Sequence, residues 1–110
     1  MEYVLHEYIN FDGKSPYAIW FGTLDSIAAS KVTVGVLRLA QGNISNLKWF
    51  KGIAEYKIDF GPGYRIYLAK DNDIFLILLG GGTKKTQAKD IDKALTLWDE
   101  YKKRKRQERH

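Results

Sequence analysis

Lys57, Arg65, Tyr67, Lys84 and Lys85 are the residues of this 110-residue chain whose types and spacing could do chemistry. The first three occupy alternate positions in two consecutive strand-like runs. In Ile53–Phe60, Ala54, Tyr56, Ile58 and Phe60 fall on one face, and Glu55, Lys57 and Asp59 on the other. In Tyr64–Ala69, Tyr64, Ile66 and Leu68 share a face opposite Arg65 and Tyr67. Gly61-Pro62-Gly63 between the runs reads as a turn, because Pro fixes φ and glycine accepts angles that other residues avoid. Lys84 and Lys85 stand in a basic loop after a third run. The constellation is cationic with one phenol, and it contains no Cys, no His and no clustered carboxylates. Basic clustering of this kind is what a phosphate-binding surface needs.

The elements that must hold these residues follow from the hydrophobic pattern. Ile74–Leu79 is apolar on both faces, which places it inside a sheet, and Gly80-Gly81-Gly82 reads as its end. Asp71-Asn72-Asp73 closes the hairpin before it. Tyr3–Ile9 alternates weakly and is the natural second neighbour of the Ile74–Leu79 strand. Ser15-Pro16 starts a helix, with Ser as N-cap and Pro at the first position. Tyr17, Trp20, Phe21 and Leu24 then form its stripe. Asp25 caps a second helix carrying Ala28, Val32, Val36 and Leu39, which Gly42-Asn43 stops. Val32, Val34 and Val36 also alternate, and Gly35 weakens a helix, but the end signals and the length favour helix. Ile44–Lys51 reads as a loop containing Lys48, Trp49, Phe50 and Lys51. Aromatics interleaved with lysines can stack bases while the lysines hold phosphates; the plainer reading is two rings covering a core edge among solvated lysines. A last helix starts near Thr86, with Asp90 and Asp92 early and Ile91, Ala94, Leu95, Trp98 and Tyr101 as its stripe. Lys102–Arg106 continues it as a basic end, or frays. The expected class is α+β: a small antiparallel sheet, a meander plus an N-terminal strand, packed against two N-terminal helices, with a C-terminal helix.

Composition narrows the class of function. The size suits one domain, expected over residues 1–101 with a basic tail at 102–110. The net charge of +5 belongs to that tail, which holds six basic residues and one acid, while residues 1–100 hold twelve of each. Within the body, residues 48–89 carry eight basic residues against four acids, so the candidate constellation lies in its most basic part. Without cysteine there is no disulfide framework and no thiolate metal site, and a cytoplasmic protein without cofactor is expected. The longest apolar run is too short for a bilayer, and the opening MEYVLHEY lacks the basic start and apolar core of a signal peptide.

The segments IDFGPGYRIY, LLGGGTKKTQ and KDIDKA, together with DGKSPYAIW and RLAQGN, resemble the RelE/ParE superfamily of bacterial toxins, and within it the HigB-like addiction module killer group. The resemblance spans about Tyr3 to Tyr101. It implies a RelE-like fold and the toxin of a type II toxin–antitoxin pair, usually a ribosome-dependent endoribonuclease that cuts mRNA by attack of the 2′-hydroxyl on the adjacent phosphate. The implied partners are mRNA, the 70S ribosome and a cognate antitoxin, a small helix-turn-helix protein encoded next to it; no membrane is involved. His6 and His110 cannot form the histidine pair of many ribonucleases, since one sits on the first strand and the other ends the chain. The implied roles are Arg65 on the phosphate oxygens, Lys57 and Lys84 on phosphate contact and charge stabilisation, and Tyr67 in proton transfer or base stacking. Lys48, Lys51, Lys85, Gln87 and Lys89 are the implied RNA contacts.

The group commonly has Arg at the position of Lys57, which loses a bidentate fork here, and often an Arg inside the second helix at the position of Gly35. Each candidate also has an ordinary reading: Lys57 on a solvated strand face, Arg65 paired with Asp59 to hold the hairpin, Tyr67 packed at the core edge, Lys84 and Lys85 in a flexible loop. Two further classes compete with the ribonuclease. One is a ParE-like poison of DNA gyrase that acts by protein contact. The other is a non-enzymatic nucleic-acid-binding domain.

Overall fold

The computed structural model describes residues 2–108, so His110 and Arg109 lie outside the described residues. Five strands and three helices follow one another as β1 (Val4–Glu7), α1 (Pro16–Phe21), α2 (Ser26–Ala40), β2 (Lys48–Phe50), β3 (Ile53–Ile58), β4 (Tyr64–Asp71), β5 (Phe75–Thr83) and α3 (Gln87–Glu108). A single 3₁₀ turn at Lys84–Thr86 joins β5 to α3. The architecture is α+β, with one mixed sheet in the order β1-β5-β4-β3-β2.

β5 lies between β1 and β4, as its apolarity on both faces requires. The sheet is not wholly antiparallel, however. β1 runs parallel to β5, Val4 opposite Phe75 and Glu7 opposite Leu78. The two helices between β1 and the meander return the chain to the far edge of the sheet, and such a crossover permits parallel pairing where a hairpin cannot.

The helix ends were legible. Ser15 Oγ accepts from Ala18 N–H at 3.0 Å and Asp25 Oδ1 from Ala28 N–H at 2.8 Å. Residues 32–36 are helical, and Gly35 packs on the sheet: a Cβ there would lie 2.8 Å from Cε2 of Tyr56. α1 and α2 cover one sheet face, where Val32, Leu39, Ala54, Tyr56, Ile66, Leu68, Leu76 and Leu78 form a core. α3 covers the other, over Ile53, Tyr67, Ala69, Ile77 and Leu79.

Two further expectations are corrected. The segment read as a loop at 44–51 contains β2, which pairs antiparallel with β3. Lys51 and Gly52 make the two-residue turn between them, both with positive φ (52° and 88°), the geometry of a tight hairpin. A three-residue strand with one bulky apolar pair is too short to show a period. Gly80-Gly81-Gly82 does not end β5 either; the strand continues through it to Thr83. A bulge at Leu79 shifts the register, so that Gly80 opposes Tyr67, Gly81 opposes Ile66 and Gly82 opposes Arg65. Gly81 and Gly82 are needed because the faces they point to are occupied at contact distance. A Cβ on Gly81 would fall 2.3 Å from the Trp20 ring, and one on Gly82 would fall 1.8 Å from Asp90 Oδ2. The run is strand on which a helix from each layer rests its side chains.

Candidate functional site

The β3–β4 register sets Lys57 directly opposite Arg65 and Glu55 opposite Tyr67. All four side chains therefore share the face covered by α3. The five residues 59–63 close the hairpin, with Gly61 and Gly63 at φ +55° and +78°, values that favour glycine. Gly63 is the node of the site. Its carbonyl oxygen accepts from Arg65 Nη1 at 2.7 Å and from the Lys84 backbone N–H at 3.1 Å. The turn, the guanidinium and the 3₁₀ turn after β5 are thus tied together, and Lys57, Arg65 and Lys84 converge on one open cleft of ≈ 360 Å³ against Gly61-Pro62-Gly63.

The side chains differ in availability. Lys57 and Lys84 are exposed. Lys57 pairs with the exposed Asp59 at 3.2 Å, a surface contact that a phosphate can displace at little cost. Arg65 is only 6% exposed, and its partner is Glu55, with Nε 3.7 Å from Oε1. The expected alternative partner, Asp59, lies beyond the last ladder pair, Ile58–Tyr64, whereas Glu55 is the diagonal neighbour of Arg65 on the same face. Glu55 is itself buried and accepts from Gln87 Nε2 at 2.8 Å. Nη1 is taken by Gly63 and Nε faces Glu55, which leaves Nη2 as the guanidinium nitrogen for a ligand.

Tyr67 is fully buried, and its hydroxyl makes no hydrogen bond of normal geometry. Burial pushes its pKa well above the usual phenol range, and the nearby Glu55 carboxylate pushes it further. In this conformation the ring packs under α3 and does not face the cleft.

The remaining candidates spread over two regions. Lys85 in the 3₁₀ turn and Lys89 in the first turn of α3 are exposed, beside the cleft in sequence. Gln87 is at the same end but is committed to Glu55. Lys48 and Lys51 belong to the β2–β3 hairpin. His6 packs edge-on against Phe75 on the far edge strand, away from the cleft. Among the described residues no group of three or more His, Cys, Asp or Glu could hold a metal ion, and no helix is long and apolar enough to cross a membrane.

Sequence reasoning missed the roles of Glu55 and Asp90. The alternation already set Glu55 on the face of Lys57; only the register, which loop length decides, shows that it reaches Arg65. Asp90 accepts from Thr86 Oγ1 and lies over Gly82, an arrangement with no local signature. At the opposite end of α3 the basic segment is ordered helix through Glu108. Arg104 donates to Ile9 O at 2.5 Å and stacks over Phe11, and Lys105 pairs with Asp71.

No protein-family model matches the chain. An uncharacterized protein of Haemophilus influenzae is 42% identical to it over 83 residues, which is 74% of this chain and 84% of that protein. At that identity over that share of both chains, this protein belongs to one family with the Haemophilus influenzae protein.

Proposed function

We propose that this chain is the toxin of a type II toxin–antitoxin module, a HigB-like member of the RelE/ParE superfamily with a RelE-like fold, which cuts mRNA on the translating 70S ribosome. The observation that supports the reading is the convergence of Lys57, Arg65 and Lys84 on one cleft whose rim is the Gly61-Pro62-Gly63 turn. In the proposed reaction the 2′-hydroxyl oxygen gives its proton to water and attacks the adjacent phosphorus. The bond from phosphorus to the 5′ oxygen breaks and that oxygen takes a proton from water, giving a 2′,3′-cyclic phosphate and a 5′-hydroxyl. Negative charge grows on the non-bridging oxygens, and preorganised cations aimed at that charge lower the barrier. Arg65 is the preorganised one, since Glu55 and Gly63 hold its fork before substrate arrives. Lys57 and Lys84 are mobile partners that close on the phosphate.

Glu55 and Gln87 are positioning residues in this reading. A cognate antitoxin, a small helix-turn-helix protein encoded adjacently, would set acidic residues against the cleft, because covering three cations without counter-charge is costly. The protein would act in the cytoplasm. The decisive test is single-turnover cleavage of a programmed message on purified ribosomes. Cut message supports the reading; intact message with an inactive Lys57→Gln control indistinguishable from the parent removes it.

The burial of Tyr67 and most of Arg65 favours a second reading, a ParE-like gyrase poison, which needs no exposed catalytic group. Induction of the protein separates the two. Arrest of translation with cut messages supports the first, and DNA damage with filamentation the second.

A further inference from the structure

A second cavity lies at the other end of α3, against the free edge of the sheet. It encloses ≈ 330 Å³ between β1, the start of β5 and the last turns of α3. The register puts its sheet-borne walls on one face. His6 lies beside Ile77, and Asp71 opposes Phe75. Tyr8, two positions beyond His6, shares that face, which is the one α3 covers: Tyr8, Phe75, Ile77 and Tyr101 belong to the same core. Four rings stand in the wall. His6 meets Phe75 edge-on at 5.1 Å, and Tyr8 meets Tyr101 edge-on at 6.2 Å.

The polar groups of this cavity are mostly donors. Arg104 is fixed in place: Nη1 donates to Ile9 O at 2.5 Å and reaches Tyr8 Oη at 3.4 Å, and the guanidinium stacks over Phe11 at 4.7 Å. Among the described residues its Nη2 and Nε have no acceptor, so they remain to donate. Lys105 pairs with Asp71 and keeps further N–H groups, and His6 offers a ring N–H. The acids are spent or turned away. Asp71 accepts from Tyr101 Oη at 2.5 Å and from Lys105. Glu7 lies beside Leu78 of the opposite core, and its charge acts on Tyr17 under α1. Glu108 is exposed in the last turn of α3. A ring-walled cavity whose open hydrogen-bonding capacity is cationic and donating complements a flat apolar body that carries one acceptor-only anion.

We propose that this cavity binds a small aromatic carboxylate, with its ring against His6, Phe75 and Tyr101 and its carboxylate on Arg104 and Lys105. The ring gains edge and stacking contacts that a saturated ring does not make. The carboxylate takes charge-assisted bonds from a guanidinium already held in position, so little ordering is left for binding to supply. The site does not depend on the proposed function. Seventeen residues of α3 separate Gln87 from Arg104, about 26 Å at helical rise, so a ligand here touches nothing in the Lys57–Arg65–Lys84 cleft.

The test is proton NMR of the full chain at neutral pH, titrated with phenylacetate. His6 is one of two histidines, so its imidazole resonances report the cavity, assigned by their loss in His6→Gln. Phenylacetate should shift them saturably, through the ring current of the bound phenyl, with a Kd of about 1–10 mM for a probe of that size. Its neutral analogue phenylacetamide should bind about tenfold more weakly or worse, because a charge-assisted bond is lost. Cyclohexylacetate, which keeps the charge and saturates the ring, should bind about two- to tenfold more weakly. Arg104→Gln should weaken phenylacetate about tenfold or more, and Arg104→Lys should recover part of that; circular dichroism confirms that each variant is folded. The absence of any saturable His6 shift overturns the proposal. So does phenylacetamide binding as tightly as the acid, or a folded Arg104→Gln protein with the parent affinity, since the site would then not read charge. Cyclohexylacetate binding as tightly as phenylacetate overturns the aromatic ligand class. The comparisons of acid with amide and of flat with saturated ring use the parent protein, so they decide the matter even where Arg104→Gln fails to fold.

Discussion

Arg65→Ala removes two things at once, and the structure says how to separate them. The first is a buried ion-pair partner. Glu55 is left 7% exposed with only Gln87 Nε2 to bond it, and stripping one member from a buried pair costs about 3–5 kcal/mol. The 3.7 Å separation of Nε and Oε1 is longer than a hydrogen bond, so the lower figure of about 3 kcal/mol applies. For a domain of this size that is a fall in Tm of roughly 12–24 °C. Because small domains hold about 5–15 kcal/mol in total, the variant stays folded at low temperature. The second is the proposed hold on the phosphate, whose removal should cut the cleavage rate about 10²–10³-fold. Arg65→Lys restores a charge opposite Glu55 but not the fork, so it should recover most of the stability and only part of the rate. Glu55→Gln should lower the rate less than Arg65→Ala, since it loosens the fork without removing it. The measurements are thermal melts by circular dichroism and single-turnover cleavage on ribosomes at a temperature where every variant is folded. An Arg65→Ala protein with the parent Tm would refute the buried-pair argument. A folded one that cleaves at the parent rate would refute the phosphate role.

Tyr67→Phe deletes a buried hydroxyl that lies near Glu55 without a hydrogen bond of normal geometry; stability should change by no more than about 1 kcal/mol, and an unchanged cleavage rate would show that the phenol moves no proton. Gly81→Ala drives a methyl into the Trp20 ring and should cost about 1–3 kcal/mol by urea unfolding; a neutral result would mean that α1 can lift from β5 freely. Burial raises the Tyr17 pKa from 10.0 to about 12, with Glu7 adding to the shift. The unfolded phenol then loses its proton first, so this contribution is complete below pH 10 and is lost as pH rises through about 12. Partly screened by solvent, it amounts to about 1–2 kcal/mol. Urea unfolding between pH 9 and 12, with phenolate absorbance followed in parallel, should show that decline; stability flat across the window would contradict it.

Much of the frame was legible because its signals are local. The Ser15-Pro16 and Asp25 caps, the Asn72-Asp73 turn with both residues at positive φ, and the two-face apolarity of β5 each involve residues a few positions apart. What the sequence concealed depends on register and on packing between layers. Alternation placed Glu55, Lys57, Arg65 and Tyr67 on one face, but not beneath a helix. Whether that face meets water or α3 is decided by Gln87, Ile91 and Ala94, twenty or more residues later. The same layer hides the meaning of Gly80-Gly81-Gly82, where small residues mark the two places at which Trp20 and Asp90 rest on the strand.

The covering helix also braces the sheet at both of its ends. Its first turn holds Glu55 through Gln87, and Glu55 holds Arg65; its last turns hold Asp71 through Tyr101 and Lys105. α3 therefore holds a carboxylate of the sheet at each end. Gln87→Ala should act on the cleft alone. It removes one hydrogen bond to a buried carboxylate, about 1.5–3 kcal/mol, and frees the Glu55–Arg65 pair to shift. The expected outcome is slower single-turnover cleavage on ribosomes with an unchanged circular dichroism spectrum. A Gln87→Ala protein that cleaves at the parent rate would show that Glu55 holds Arg65 without help from α3.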